Sequence, residues 1–369
     1  MGSKRWMLGN GLGRVLAEHM PGRKRFIDLF SGSGVVSWHV AQTSRCEVIA
    51  GDIQTYATVL AAAVIERTAP VDVEVLVSDW LRNGVRSVEQ SKAWLSAPPA
   101  ASLTADLVLK SREYAESVGG LVTARYGGYY LAPRQTLVID HLLKTVPEGD
   151  SNVCLAALVI ATSRSVASPG HTAQPFQPTT PGGLTAINHA WGRDIVQLVA
   201  SALRALSPMH ARIRGRAVTG DALSLATQAN SADLVFLDPP YSSVQYSRFY
   251  HVLETIARGT GGPVSGVGRY TPIMERPQSE FSQRRTALRA MTKLLESLST
   301  AGAGRVIVTF RQDKTSNGLS AGVIREIASK RFKVDDEHVD TRMSTLGGNN
   351  VDRAARTQVK ESILVLRSR

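Results

Sequence analysis

Ala232-Asp233-Leu234-Val235-Phe236-Leu237-Asp238-Pro239-Pro240-Tyr241 is the stretch that decides the fold. A short apolar run, bounded by polar residues and stopped by two prolines, reads as a buried strand that ends in a rigid turn. That strand delivers four residues to the edge of a sheet. Asp238 and the carbonyls of Asp238 and Pro239 accept hydrogen bonds, the prolines contribute no N–H, and Tyr241 offers an aromatic face. Together they predict a socket for a flat amine, and adenine is such an amine. The plain alternative is a strand that merely ends in a Pro-Pro-Tyr turn, so a companion site for a methyl donor elsewhere in the chain is the test.

Such a site is present. Lys24-Arg25-Phe26-Ile27-Asp28-Leu29-Phe30-Ser31-Gly32-Ser33-Gly34-Val35-Val36-Ser37 reads as a strand, a Gly-x-Gly turn and a helix beginning near Val35. Glycines there let the backbone turn sharply and approach a ligand closely. The third glycine of the dinucleotide fingerprint is missing, which disfavours the phosphate-binding version. Glu47-Val48-Ile49-Ala50-Gly51-Asp52-Ile53 follows as a second strand, with Asp52 at its carboxyl end, 18 residues after Gly34. In a doubly wound sheet that is the place for a carboxylate that accepts the ribose hydroxyls of an adenosyl ligand. The ordered set points to an adenosylmethionine-dependent methyltransferase.

With these motifs in hand, the chain resembles the Dam-like DNA adenine-N6 methyltransferases. Their Asp-x-Phe-x-Gly-x-Gly pattern is matched by Asp28-Leu29-Phe30-Ser31-Gly32-Ser33-Gly34, and their Asp-Pro-Pro-Tyr by residues 238–241. Gly2-Ser3-Lys4-Arg5-Trp6-Met7-Leu8 resembles the basic amino-terminal motif that helps close over the cofactor in that family. The resemblance implies S-adenosyl-L-methionine as cofactor, held by Lys4, Asp28, Phe30, Gly32, Gly34, Asp52 and Ile53. It also implies catalysis at Asp238, Pro239, Pro240 and Tyr241. An acidic residue that contacts the cofactor adenine has two candidates. Asp221, with Ala222, ends the short strand Val218–Asp221, and Asp79 ends Val73-Glu74-Val75-Leu76-Val77-Ser78-Asp79, which has the same form. Asp221 is preferred, because a single helix fits between it and the strand of Asp238.

Composition narrows the class. At 369 residues, 43% hydrophobic and 20% charged, the chain has the makings of one large globular domain or of one with a smaller insertion. No apolar run approaches the roughly 18 residues of a membrane span, and no signal-peptide core follows Met1, so a cytoplasmic, nucleoid-associated protein without membrane contact is expected. Forty-three Lys and Arg against 31 Asp and Glu give a net charge of +12, in keeping with a partner rich in phosphate. Basic residues cluster at the amino terminus, at 204–216, at 284–289 and at 353–369. Cys46 and Cys154 lie in apolar runs without ligand spacing, which predicts buried thiols, no disulfide and no metal site.

Between about 86 and 209 the pattern turns helical, with helices expected at Leu103–Val118, Thr136–Thr145, Asn152–Val166 and Ile187–Leu206. Within this insertion, the polar, proline-rich run 168–183 reads as a loop, and loops of that kind often bind. His171 and Gln174 are its candidates for contact with phosphate or base edges, the alternative being a plain connection. After the tetrapeptide, Tyr246, Phe249, Tyr250, Leu253 and Ile256 have helical spacing and are expected mostly in a core. Tyr246 and Arg248, nearest the socket, are the candidates there for nucleic acid. The glycine-rich run 259–268 reads as a mobile loop able to close over DNA. Arg305–Phe310 and Ser362–Leu366 read as strands, Leu288–Leu298 and Ala321–Ser329 as helices.

The expected architecture is therefore α/β, a doubly wound Rossmann-like methyltransferase sheet from residues 1–85 and 210–369 with a mainly helical target-recognition insertion at 86–209. The expected reaction is methyl transfer to the N6 amine of an adenine flipped out of duplex DNA. The alternatives are an RNA guanine-N2 or a cytosine-N4 amino-methyltransferase, or a non-catalytic DNA-binding relative. Double-stranded DNA is the expected partner, and the resemblance allows a cognate restriction nuclease or defence-system proteins beside it.

Overall fold

The run that ends at Asp238 lies in the middle of a seven-stranded sheet. The computed structural model describes residues 4–100, 102–343 and 357–369, with backbone alone at 338–343 and 357–360. Its strands are β1 (Arg25–Asp28), β2 (Glu47–Asp52), β3 (Arg216–Thr219), β4 (Asp233–Leu237), β5 (Arg305–Arg311), β6 (Phe332–Met343) and β7 (Thr357–Ser368). They lie in the order β3-β2-β1-β4-β5-β7-β6. β1 to β5 are mutually parallel, whereas β7 runs antiparallel between β5 and β6. From β1 the chain winds outward to β2 and β3, then returns to β4 on the other side of β1. That reversal creates the crevice in which doubly wound sheets bind ligands, outside the carboxyl ends of the strands.

Continuous apolar runs make strands covered on both faces. One face carries Ile27, Leu29, Ile49, Val235, Leu237, Val306, Val308 and Phe310, packed with apolar residues of helices Ala222–Ala226, Ala287–Thr300 and Ala321–Ser329. Phe26, Val48, Leu234, Phe236 and Ile307 alternate with these and are equally buried. Helices Val35–Thr43 and Thr55–Ile65 pack on β1, β2 and β3. β6 gives little signal in the sequence, since Lys333, Asp335, Asp336 and Glu337 interrupt it. It is an edge strand, and charges on an edge discourage pairing with other chains.

The chain divides into two compact units, residues 1–69, 210–246 and 278–369 in the first and 70–209 with 247–277 in the second. The second unit therefore takes up residues 70–85 and 247–277, which the sequence had suggested for the core. It is built mainly from helices at Ala105–Val118, Pro133–Lys144, Ser151–Ser165, Pro181–Trp191, Ile195–Leu206 and His251–Arg258. Two local expectations fail there. The alternating Val73–Asp79 run is helical, because Asp72 caps it by accepting from the amides of Glu74 and Val75. The helix expected over 187–206 is interrupted at 192–194, where Asp194 caps a new helix by accepting from Val196 and Gln197.

Beneath β4, Asp233 is fully buried and accepts from Arg25 Nε at 2.9 Å, Arg25 Nη2 at 2.7 Å and the Asn230 amide at 2.8 Å. Asp233→Ala leaves the guanidinium and an amide without their acceptor at the root of the central strand pair. We predict a loss of about 3–5 kcal/mol in urea denaturation. A loss below about 1 kcal/mol, the size of an exposed pair, would show that Asp233 is not a buried anchor.

Candidate active site

Three adjacent parallel strands end in acidic residues. β1 ends at Asp28, β2 at Asp52, and Asp238 follows β4 directly. The turn after β1 is pinned to both neighbours: Leu29 N donates to Phe236 O at 3.1 Å and Ser31 N to Gly51 O at 2.9 Å. Gly32 has φ +50°, and an added Cβ would meet nothing closer than 3.9 Å, so that side of the turn is open. Gly34 has φ +75° and no such room, since a Cβ would lie 2.8 Å from Trp38 Nε1 and 3.3 Å from Ala61 Cα. The first glycine thus leaves space for a ligand, and the second lets the Val35–Thr43 helix pack.

Asp52 is fixed by backbone amides. Its Oδ2 accepts from Gly32 N and its Oδ1 from Gln54 N, both at 2.9 Å. Ile53 beside it is half-buried. The Gly220 amide donates to Asp52 O at 2.9 Å, which brings the turn after β3 alongside. There Asp221 caps the Ala222–Ala226 helix through Leu223 N, and Ala222 is buried. The rival Asp79 is exposed on a helix of the other unit. Two buried atoms, Ser31 Oγ and Gln54 Oε1, have no partner among the described residues. An open glycine turn, a fixed carboxylate and unspent polar atoms fit a polar adenosyl ligand.

Asp28 is a different kind of carboxylate. It is buried, accepts from Ser37 Oγ at 2.7 Å and from Phe30 N at 3.3 Å, and orders the turn from within. Burial pushes its carboxyl up to about 7, against the pull of those two donors, with Asp238 and Asp52 adding to the rise. Phe30 packs edge-on against Phe281 at 5.0 Å.

At the end of β4, Asp238 is half-buried and its Oδ1 takes three donors: Lys4 Nζ at 2.9 Å, Thr309 Oγ1 at 2.9 Å and the Tyr241 hydroxyl. Tyr241 stands edge-on to Phe310 at 4.8 Å. Burial, then the Asp238 and Glu361 carboxylates, hold its phenol well above the ordinary value, so it stays a donor. Pro239 is buried, while the Pro240 carbonyl is already taken by Asn317 Nδ2 at 2.7 Å. Asn317 also bonds Phe281 O at 2.9 Å and so braces the tetrapeptide.

Lys4 stands among these residues. Besides Asp238, its ammonium contacts the Tyr241 hydroxyl at 2.8 Å, Glu361 Oε2 at 3.0 Å and Met7 Sδ at 3.3 Å. Burial draws its pKa down, but Asp238 and Glu361 outweigh that and the net is upward. Gly2 and Ser3 of the same motif lie outside the described residues, as do residues 353–356 of the carboxyl-terminal basic cluster. Thr309, Asn317 and Glu361 were not singled out from the sequence. Thr309 alone left a trace, as the one hydroxyl within the apolar run Arg305–Phe310, and in the structure it is fully buried and donates to Asp238.

The candidates for nucleic acid divide. His171 is buried, its Nδ1 accepts from Ala173 N at 3.1 Å, and its ring lies 4.8 Å from Phe249. Burial lowers its pKa. The loop is less polar in place than in sequence, because Thr172, Ala173 and Pro175 are buried with it. Gln174 is exposed. Arg248 is exposed and rests on Tyr270, 3.0 Å from its hydroxyl, and Tyr246 is half-buried. The run 259–268 is fastened rather than loose. Arg125 bonds the Gly261 and Gly262 carbonyls, Tyr130 OH lies 2.9 Å from Gly268 O, and Ser265 bridges to Tyr270. Not foreseen from the residues alone is a cleft of about 710 Å³ in the second unit, lined by Arg164, His189 and Arg193 among others. Cys46 and Cys154 are free and buried. Among the described residues no helix is long and apolar enough to cross a membrane, and no cluster of acidic, His and Cys side chains could hold a metal.

A doubly wound sheet with an open glycine turn after β1 and an acid-Pro-Pro-Tyr edge after β4 defines the Rossmann-like methyltransferase class. Within that class, the profile of the D12 class N6 adenine-specific DNA methyltransferases matches residues 1–92 and 209–296. It is also 24% identical over 321 residues to the modification methylase StsI of Streptococcus sanguinis. That likeness covers 85% of this chain but only 44% of the relative, so the chain spans less than half of its length.

The raised carboxyl of Asp28 has a consequence for stability. Between about pH 4 and 7 the unfolded chain ionises Asp28 while the folded chain keeps it protonated, so folding is progressively penalised as pH rises through that window. Asp28→Asn removes the penalty. The variant's stability relative to wild type should rise by about 2–4 kcal/mol between pH 4 and pH 8, read from denaturant midpoints at each pH. A pH-independent difference between the two proteins would contradict a buried, protonated Asp28.

Proposed function

We propose that this chain transfers a methyl group from S-adenosyl-L-methionine to the exocyclic N6 amine of an adenine in double-stranded DNA. The observation that carries the reading is the placement of the Asp52 turn and the Asp238-Pro-Pro-Tyr edge on either side of β1, at the strand-order reversal. Asp52 holds the ribose hydroxyls. Gly32 and Gly34 shape the turn, with Asp28 and Phe30 behind it, and Ile53, Asp221 and Ala222 bound the adenine end. The cofactor supplies an electrophilic methyl group.

Asp238 and the Pro239 carbonyl accept from the target amine and orient its lone pair, while Tyr241 flanks the base. Positioning supplies most of the rate, and the proton leaves after attack rather than before it. A stacked base is out of reach, so the adenine is flipped at a cost of a few kcal/mol, offset by contacts to DNA. The net charge of +12 supports phosphate binding. The second unit supports the role of target recognition, with exposed Gln174 and Arg248, half-buried Tyr246 and the Arg164–Arg193 cleft as its contact candidates. The name of the relative, a modification methylase, supports a restriction–modification setting, and a cognate nuclease or defence-system proteins belong to the same reading. A cytoplasmic, nucleoid-associated location is part of the same reading.

Two substitutions separate donor binding from chemistry. Asp52→Ala should weaken S-adenosylmethionine binding in calorimetry by about 10- to 100-fold, the loss of charged hydrogen bonds. Asp238→Ala should keep cofactor affinity and most duplex affinity yet lose methylation by about 10²-fold or more. Wild-type turnover by Asp238→Ala, or unchanged cofactor affinity in a folded Asp52→Ala protein, would overturn the assignment.

A further inference from the structure

Among the described residues, Glu361 is a buried carboxylate beside Lys4 that neither the amine socket nor the donor site uses. It lies on β7 opposite Arg311 of β5 and is completely buried. Arg311 itself pairs with Asp313 at 3.8 Å. One oxygen of Glu361, Oε2, holds Lys4 at 3.0 Å. The other, Oε1, is buried and has no hydrogen-bond partner among the described residues. A buried acceptor left unspent is costly, so it calls for a function.

The opposite situation holds 2.9 Å from the same ammonium, at Asp238. Asp238 Oδ1 accepts from Lys4, Thr309 and Tyr241 together, more donors than one oxygen accommodates well. Lys4 Nζ therefore sits where a target amine would sit, between the Asp238 carboxylate and the Tyr241 hydroxyl. An entering amine needs that oxygen, and the N–H that Lys4 then withdraws needs another acceptor. Glu361 Oε1, on the same carboxylate that already holds Lys4, is the unspent acceptor beside it.

We propose that Glu361 is a positioning residue: it holds the Lys4 ammonium as a stand-in for the target amine, and takes it over from Asp238 when the base enters. The inference rests on the function proposed above for Asp238. Glu361 acts only through Lys4 and touches no reacting atom. Its charge keeps the positive Lys4 from staying on Asp238, and keeps that cation close enough to offset the carboxylates of the edge.

The isosteric substitution Glu361→Gln tests this in two ways on the full chain. The first needs no catalysis. Loss of the charge frees the Lys4 amine, so its acetylation by acetic anhydride near pH 9, followed by peptide mass spectrometry with exposed Lys110 as internal standard, should be several-fold faster than in wild type. An unchanged rate would overturn the pairing. The second reads turnover. Glu361→Gln should lower kcat for methyl transfer about tenfold with unchanged cofactor affinity, whereas in a Lys4→Met background the same substitution should cost nothing further. A second tenfold fall in the double variant would overturn action through Lys4. If the wild type transfers no methyl to adenine, the proposed activity fails, and the acetylation rates still decide the Lys4–Glu361 pairing.

Discussion

The site depends on a crowding of negative charge. Parallel pairing of β1 between β2 and β4 brings three strand-end aspartates to one edge, and each is made tolerable in a different way. Asp28 is buried with a hydroxyl and an amide, and its carboxyl is held near neutrality. Asp52 spends both oxygens on backbone amides of the turns it orders. Asp238 has a cation, Lys4, which arrives from the start of the chain and is shared with Glu361 from near its end. The three carboxylates thus stand in three environments: one buried with two donors, one held by backbone amides, and one paired with a cation. Burial and partners, rather than residue type, set them apart.

Much of this edge was legible in the sequence because it is local. Residues 232–241 carry both the strand and the socket, and residues 24–37 carry strand, turn and helix start, so apolar run and breaker coincide within one window. What could not be read is what the sheet assembles from afar. Glu361 lies 123 residues beyond Asp238 and reaches it only because β7 turns back antiparallel beside β5. Asn317 lies in an irregular stretch, and nothing in its neighbours shows that its amide will brace Pro240. Lys4 was read from the sequence as a donor-site residue, and nothing local showed that its ammonium would also meet Asp238, Tyr241 and Glu361.

The errors have physical causes as well. Val73–Asp79 alternates like a strand, yet a capping aspartate and helical packing override that period. The polar and proline-rich run 168–183 looks like surface, but His171 folds inward and bonds its own loop, where burial lowers its pKa. Composition describes what a segment is made of. It does not say which side chains the backbone turns inward. The same limit hid the membership of residues 247–277, whose helical aromatics pack with the second unit: His251 lies within 5.6 Å of Tyr126 and Tyr130 and 5.0 Å of Tyr270. Burial takes the His251 imidazole down to about 3, so this cluster is a neutral core rather than a charged contact surface.

The central claim is that the two turns flanking β1 serve one reaction, methyl transfer to the N6 amine of adenine in DNA. Duplex DNA incubated with the protein and S-adenosylmethionine carrying a deuterated methyl group can be digested to nucleosides and weighed by mass spectrometry. The account predicts the label in N6-methyldeoxyadenosine and in no other nucleoside. Label in N4-methyldeoxycytidine, or no label at all from a folded protein that binds the donor, would contradict it.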